Sequence, residues 1–265
     1  MKQIGKAVAI MIAAVLLLNT GVSSASANTP THPDDTAALP KTISDPLDSI
    51  LIVYDGDSIT ESRLNDNYNG GSYPKLIADL TNGEYINLAH GGAWLSSNSK
   101  KHSIVDNLAN LPEGDLYCFQ GGINDFWGNV PIGTITPNYT DPVDITTICG
   151  AMEAIFRYCL DNHVGTPICF IIPHKIKNTS FKTNGNGDTF KDYRDAMVAV
   201  CEKYSIPYYD AFSTSGLNGW NKTQSNTFMT ANSSGTGDGI HPNEEGYRRY
   251  YVPQLLALFR SIMPE

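Results

Sequence analysis

The chain has 265 residues, with 18 Lys and Arg against 27 Asp and Glu, which gives a formal net charge of −9. An acidic surface repels phosphate backbones and anionic membranes, so this balance argues against nucleic acid as a partner. Neutral or weakly charged substrates fit such a surface better.

The first 27 residues have the pattern of a secretory signal peptide. Lys2 and Lys6 give a positive start, and residues 7–18 are apolar but too short for a comfortable membrane span. The small residues Ala25 and Ala27 then form an A-x-A-type cleavage site. We expect cleavage after Ala27 and an extracellular protein with no stable membrane insertion. An uncleaved membrane anchor is the alternative.

The remaining chain divides into a linker and one domain. Residues 28–47 are rich in Thr, Pro and Asp and lack apolar periodicity, which predicts a disordered linker. Residues 48–265 contain no internal repeat, and their length suits a single domain with a substantial core.

Short β-rich runs alternate with longer helical segments along this domain. The predicted elements, in chain order, are a strand at 50–54, a helix at 73–80, strands at 84–89 and 116–119, a helix at 145–162, a strand at 167–172, a helix at 188–204, a strand at 206–209, and a helix from about Asn243 that Pro253 kinks or splits. This alternation predicts an α/β fold with a five-stranded parallel sheet covered on both faces.

The five cysteines predict buried thiols more than disulfides. Cys118 and Cys169 fall in predicted strands, while Cys149, Cys159 and Cys201 fall in predicted helices. Their number is odd, their spacings fit no zinc site, and a domain of this size needs no covalent staples. A Cys118–Cys169 bridge remains open if their strands are neighbours.

Four predicted loops carry the residues with the most chemistry. Ser58 follows the first strand, Gly91 and Gly92 follow the second, and residues 121–125 follow the third. An Asp and a His occupy positions 238 and 241, in the loop before the last helix. Active sites of parallel sheets lie beyond the carboxyl ends of the strands, so we expect these loops to converge on one rim.

A serine hydroxyl becomes a useful nucleophile only beside a base. Of the six histidines, only His241 has an Asp three positions earlier and a helix start directly after it. Ser58, His241 and Asp238 can therefore supply a nucleophile, a base and a group that orients the base. From this string alone, a surface turn at Asp238 with His241 as an ordinary loop residue stays open.

Hydrolysis of an ester also needs donors for the oxyanion that forms. Gly92 can bring a backbone N–H close because it has no side chain, Asn124 can offer its amide, and Ser58 its own N–H. The same residues could equally be ordinary turn formers.

These four sequence blocks resemble those of the SGNH hydrolases, also called GDSL esterases. They are Gly-Asp-Ser-Ile-Thr around Ser58, Asn-Leu-Ala-His-Gly-Gly ending at Gly92, Gly-Ile-Asn-Asp around Asn124, and Asp-Gly-Ile-His-Pro around His241, spread over roughly residues 50–260. The resemblance implies a flavodoxin-like three-layer α/β/α fold and a triad of Ser58, Asp238 and His241. It also implies an oxyanion hole made by the Ser58 and Gly92 N–H groups and the Asn124 side chain, and no metal or other cofactor.

Within these blocks two assignments need a choice. Gly91 precedes Gly92, and the distance from Asn87 favours Gly92 as the oxyanion donor. Asp57 and Asp125 belong to the blocks, and we assign both to local hydrogen bonding and not to catalysis.

Three tryptophans follow or precede these loops, namely Trp94, Trp127 and Trp220. Aromatic faces can stack on sugar rings, and they can also simply pack the wall of a site. Polar stretches at 128–143 and 174–187 could border the cleft, and His174 within the second reads as a loop residue and not a ligand.

Together with export, these features lead us to expect a serine esterase that removes O-acetyl or other short acyl groups from carbohydrate. The substrate would be a small ester or an acylated polysaccharide. The alternatives are a lipase-like esterase acting on longer chains, an acyltransferase with the same triad, and a non-catalytic carbohydrate-binding protein on the same scaffold.

Overall fold

The computed structural model describes residues 45–62, 71–98, 100–177 and 181–264. The predicted signal peptide and nearly all of the predicted linker lie outside these residues. The last three linker residues, however, belong to the folded unit. Leu47 is fully buried, and the Asp45 carboxylate pairs with the Arg260 guanidinium at 2.5 Å. Composition alone did not distinguish these anchoring residues from the polar segment before them.

A parallel five-stranded sheet in the order β2-β1-β3-β4-β5 forms the centre of the fold. Its strands are β1 (Leu51–Asp55), β2 (Glu84–Asn87), β3 (Leu116–Gln120), β4 (Ile168–Ile172) and β5 (Tyr208–Asp210). All five predicted strands are confirmed, each within two residues of its expected bounds. Every residue of β3 and β4 is buried, as expected for central strands that are covered on both faces.

Helices pack around this sheet in two groups. The first group comprises α2 (Tyr73–Thr81), α8 (Glu244–Tyr250) and α9 (Val252–Ile262), which contact one another. The second comprises α4 (Ile148–Asn162), α5 (Phe190–Lys203) and a 3₁₀ turn, Val105–Asn110. The result is the expected α/β fold. In the described parts of the chain, no helix combines the length and hydrophobicity needed to cross a membrane.

Capping residues explain where the helices differ from their predicted bounds. The side chain of Thr147 accepts the Gly150 N–H, so α4 begins three residues later than predicted. Thr189 and Asp192 form a reciprocal capping box, so α5 begins at residue 190, two residues later than predicted. An N-cap residue has extended backbone geometry, which keeps it and its predecessors out of the helix.

The C-terminal helix is split as predicted, but the break lies at Tyr251 and not at Pro253. Asn243 caps α8 by accepting the Gly246 N–H at 2.9 Å. Pro253 lies in the first turn of α9, where a missing N–H costs nothing because those donors have no intrahelical acceptor.

One hairpin and four short helices were not predicted. The antiparallel hairpin joins β6 (Met229–Ala231) to β7 (Gly237–Pro242), and the short helices are α1 (Ser58–Glu61), α3 (Ile123–Trp127), α6 (Ala211–Thr214) and α7 (Lys222–Phe228). The expected loop around Asp238 and His241 is therefore a strand. With two glycines and a proline in six residues, β7 has too little β-forming composition to be read as one.

All five cysteines are buried and unbridged. Cys118 and Cys169 are register partners on the adjacent strands β3 and β4, which is the proximity that the disulfide alternative required. Their thiols nevertheless remain free, as the main prediction stated.

We predict that a single hydroxyl anchors α1 to the C-terminal helices. The Tyr247 hydroxyl donates to the Ile59 carbonyl at 2.7 Å, and the Tyr247 ring is fully buried. Tyr247→Phe removes this donor from a buried carbonyl and should lower the free energy of unfolding by about 1–3 kcal/mol in urea titrations. Tyr85→Phe, at a 39% exposed side chain, is the control and should change it by less than about 0.5 kcal/mol. Equal effects would show that this bond anchors nothing.

A second prediction concerns the pH dependence of stability. Burial raises the pKa of the Asp55 carboxyl to about 7, although a hydrogen bond from the Gly56 N–H opposes the shift. A carboxyl with a raised pKa binds more protons in the folded state, so its stabilisation is full at low pH and is lost as the pH rises. The Asp55 contribution to the free energy of unfolding should therefore decline between about pH 4 and 7, and Asp55→Asn should make the measured slope over that range more positive.

The matched control is Asp144→Asn. Hydrogen bonds from Thr146 lower the pKa of the exposed Asp144 carboxyl, so this group loses its stabilisation only below about pH 4. Its removal should leave the slope between pH 4 and 7 unchanged. Urea unfolding at each pH measures all three proteins, and an unchanged slope in Asp55→Asn would contradict the prediction.

Candidate active site

Ser58 is the first residue of α1, immediately after β1 ends. The Asp57 carboxylate caps this helix by accepting the Ile59 N–H at 2.9 Å. At Gly56, an added Cβ would lie 2.5 Å from the Thr60 hydroxyl oxygen, so the turn requires glycine. Each residue of the Gly-Asp-Ser string thus has a local role. Gly56 permits the turn, Asp57 caps α1, and Ser58 presents its hydroxyl at the start of that helix.

Ser58, His241 and Asp238 form one chain of hydrogen bonds. The Ser58 Oγ lies 2.8 Å from His241 Nε2, and His241 Nδ1 lies 2.7 Å from Asp238 Oδ2. The Nδ1–H donating to the carboxylate leaves Nε2 free to accept the serine hydroxyl. The structure thus brings together the three residues that the sequence singled out.

Asp238 is held in place by its own turn. Its Oδ1 accepts the backbone N–H groups of Ile240 at 2.8 Å and His241 at 2.9 Å, while Gly239 adopts a positive φ of 75°. Burial favours the neutral acid, but the hydrogen bonds from the His241 ring and the two backbone amides outweigh it and lower the pKa of Asp238. An ionised and oriented carboxylate can stabilise a positive charge on His241.

The three residues expected to donate to the oxyanion follow the strands β1, β2 and β3 in turn. The Ser58 N–H belongs to the first turn of α1, where helical amides have no intrahelical acceptor. Gly92 has a φ of 80° and open space where a Cβ would project. The Asn124 side chain lies in the first turn of α3 and donates one N–H to the Ala93 carbonyl at 3.0 Å. Its amide has a second N–H, which is the expected oxyanion donor. Of the two adjacent glycines, Gly92 is the one whose backbone geometry requires glycine.

Asp125 joins the loop after β2 to α3. This fully buried carboxylate accepts the Leu95 N–H, the Ser96 N–H and the Ser96 hydroxyl at 2.7–3.0 Å. Burial raises the pKa of Asp125 against these hydrogen bonds. Asp125 thereby fixes the loop that carries Gly92 relative to Asn124. Asp57 makes the local hydrogen bond expected of it, whereas the hydrogen bonds of Asp125 join segments 29–30 residues apart in the chain.

Sequence reasoning missed a buried histidine beside the site. His174 lies in a loop, as predicted, but its ring is fully buried and its Nδ1 lies 2.7 Å from the Tyr251 hydroxyl. Burial, followed by the nearby His241, lowers the pKa of His174 to about 3, so the ring is neutral. Its place two residues beyond β4, at the carboxyl end of a central strand, was the signal that could have found it.

The three tryptophans differ in their exposure to solvent. Trp94 is half-buried and lies so close to Gly128 that a Cβ there would be 2.3 Å from the indole. It packs the wall of the site. Trp127 and Trp220 are 42% and 44% exposed and are open to a ligand.

The family model of the GDSL-like lipase/acylhydrolase family matches residues 56–249. No curated protein matches the chain. The matched range contains all five predicted site residues: Ser58, Gly92, Asn124, Asp238 and His241.

Solved structures share the fold. A protein from Lactobacillus plantarum is 24% identical and superposes with a TM-score of 0.67, covering 81% of this chain and 98% of its own. For a possible lipase from Chitinophaga pinensis, the identity is 20%, the TM-score 0.63 and the coverage 80% and 98%. A member of the lipolytic G-D-S-L family from Veillonella parvula is 16% identical, with a TM-score of 0.52 and coverage of 79% and 97%.

These likenesses agree with the parallel sheet and its flanking helices. Because the family match covers well over half of the chain, the protein belongs to the GDSL-like lipase/acylhydrolase family and is an ester-hydrolysing enzyme.

Proposed function

We propose that this protein is a secreted serine esterase that removes O-acetyl or other short acyl groups from carbohydrate, with Ser58, His241 and Asp238 as its triad. The observation that carries the proposal is the hydrogen-bond chain of 2.8 Å and 2.7 Å through these residues. Secretion rests on the signal-peptide pattern of residues 1–27.

The reaction follows from the geometry. His241 Nε2 takes the Ser58 proton as Oγ attacks the ester carbonyl, and the resulting oxyanion accepts hydrogen bonds from the Ser58 and Gly92 N–H groups and the Asn124 amide. The imidazolium, stabilised by Asp238, then protonates the departing alcohol. Water repeats the sequence: His241 takes its proton, the acyl–serine bond breaks, and Ser58 regains a proton as the acid leaves.

Two cavities combine exposed aromatic rings with polar side chains. One, of about 330 Å³, is lined by Phe126, Trp127, Asn129 and the segment 182–185. A second, of about 260 Å³, lies beside Trp220 and is lined by Lys, Ser, Asn, Thr and Gly. An aromatic face among polar side chains is suited to a sugar ring, since it offers apolar contact and hydrogen bonds together.

Replacing the nucleophile is the first test. Ser58→Ala should lower turnover of an aryl acetate by about 10³-fold or more, because no hydroxyl remains to form the acyl–enzyme. Circular dichroism should show an unchanged fold. Ser261→Ala, on α9, removes a serine hydroxyl away from the triad and should keep the parent rate. Parent-level turnover by the Ser58→Ala protein would refute the triad.

The acyl specificity makes a separate prediction. Across aryl acetate, butyrate and octanoate, kcat/KM should be highest for acetate and fall with chain length, as expected for an enzyme that removes short acyl groups. Acetate release from acetylated polysaccharides, with Ser58→Ala as the control, tests the carbohydrate part. A preference for octanoate would instead favour a lipase-like enzyme. Transfer of the acetyl group to an added acceptor sugar in place of its release would favour an acyltransferase.

A further inference from the structure

Cationic side chains on the long helices are already neutralised. The ion pairs are Lys75–Asp79, Arg157–Glu153, Lys191–Asp195, Arg194–Asp210, Lys203–Glu153, Arg248–Glu244 and Arg260–Asp45. The remaining helical arginine, Arg249, lies over the rings of Phe228 and Tyr250. These cations therefore have partners within the protein.

Five exposed lysines are different, because Lys100, Lys101, Lys177, Lys182 and Lys222 form no ion pair with any carboxylate among the residues that the structure describes. Three of them, Lys177, Lys182 and Lys222, line two cavities that also contain tryptophan rings. The acids in the neighbouring segments are Asp188, whose charge acts on the Tyr193 hydroxyl, and Asp238, which is bonded to His241. An acidic protein thus keeps unneutralised positive charge at this place.

Three exposed aromatic rings lie at the same place. All tryptophans and phenylalanines lie in described residues, and only Trp127, Phe181 and Trp220 among them are exposed, at 42%, 76% and 44%, while the exposed tyrosines Tyr85 and Tyr139 lie in other segments. Phe181 and Trp220 meet edge to face, with ring centroids 5.4 Å apart. Large apolar rings left in water at one location indicate a surface that binds something.

These six residues form a continuous surface, which we call the aromatic–lysine band: Lys177, Lys222, Trp220, Phe181, Lys182 and Trp127. Lys177, Trp220 and Lys222 line one cavity, and Lys182 and Trp127 line the other. The Phe181–Trp220 contact and the peptide bond between residues 181 and 182 join the two.

The band borders the triad at one end and the oxyanion donors at the other. The Lys177 N–H donates to the Gly239 carbonyl at 2.8 Å, and Gly239 directly follows Asp238. The Trp220 cavity also includes Gly237, on the other side of that aspartate. At the far end, Trp127 lies in α3 together with Asn124. Both ends of the band thus belong to segments that carry predicted site residues.

We propose that the aromatic–lysine band binds an anionic polysaccharide, with its rings stacking on sugars and its lysines pairing with acidic groups. This rests on the proposed esterase function, whose substrate it narrows to an O-acylated acidic glycan. Net charge favoured neutral substrates, but binding depends on the local charge, because salt screens charges beyond about 8–10 Å. The distant carboxylates of the protein therefore oppose such a ligand only weakly.

Binding measured without turnover tests the band. The probes are polygalacturonate, dextran sulfate and neutral xylan, titrated against the Ser58→Ala protein so that no ester is consumed. In about 0.1 M salt we expect about ten-fold tighter binding to an anionic polymer than to xylan, and Lys177→Gln with Lys222→Gln should remove that preference. About 1 M salt should also remove it. Trp220→Ala should weaken binding to charged and neutral polymers alike.

Lys75→Gln with Arg260→Gln is the matched control. It makes the same change in net charge at two ion-paired cations on α2 and α9, away from the band, and it should keep the preference. Binding of polygalacturonate or of dextran sulfate supports the proposal and identifies the anionic group. Equal affinity for xylan, or equal loss in the control, overturns it. Aryl acetate hydrolysis by the parent protein is read separately, so either proposal can fail without the other.

Discussion

The site depends on how one carboxylate is held. Asp238 accepts the ring N–H of His241 with one oxygen and two backbone N–H groups with the other, so the carboxylate and the imidazole share a single rigid turn. A free imidazole could rotate or change tautomer, and Nε2 would then not face the Ser58 hydroxyl. The β6–β7 hairpin supplies this turn, and the rest of the fold serves to bring Ser58 to it.

Sheet order explains why the other parts meet there. In the order β2-β1-β3-β4-β5 the chain leaves β1 towards one edge and β3 towards the other, which opens a crevice between their carboxyl ends. Ser58 follows β1 and Asn124 follows β3, so both border this crevice. Asp125 then ties in the loop after β2 through three hydrogen bonds, which adds Gly92 to the same place. Three loops are thus positioned by strand order and one buried carboxylate.

What could be predicted from the sequence follows from the strength of each local signal. Central strands such as β4 are continuous apolar runs and were found, as was the cap at Asn243. The β7 strand was not predicted because glycine and proline weaken a strand pattern. Its residues Asp238 and His241 were nevertheless predicted as members of the triad. The burial of Leu47 was also missed, since it depends on tertiary contacts that no local pattern records, whereas the position of His174 just after β4 was a usable signal.

The buried layer beside the triad favours the charge that catalysis would create. A positive imidazolium at His241 needs one ionised partner and no competing cation. Asp238, with its lowered pKa, is that partner. His174 could oppose the imidazolium if it were protonated, but burial lowers its pKa to about 3 and keeps it neutral wherever Asp238 is ionised at ordinary pH. The Tyr251 hydroxyl lies within hydrogen-bonding distance of His174 Nδ1 in this layer, so the neutral ring has a neutral hydrogen-bond partner. A buried histidine that stays uncharged therefore lets positive charge build on the one that acts.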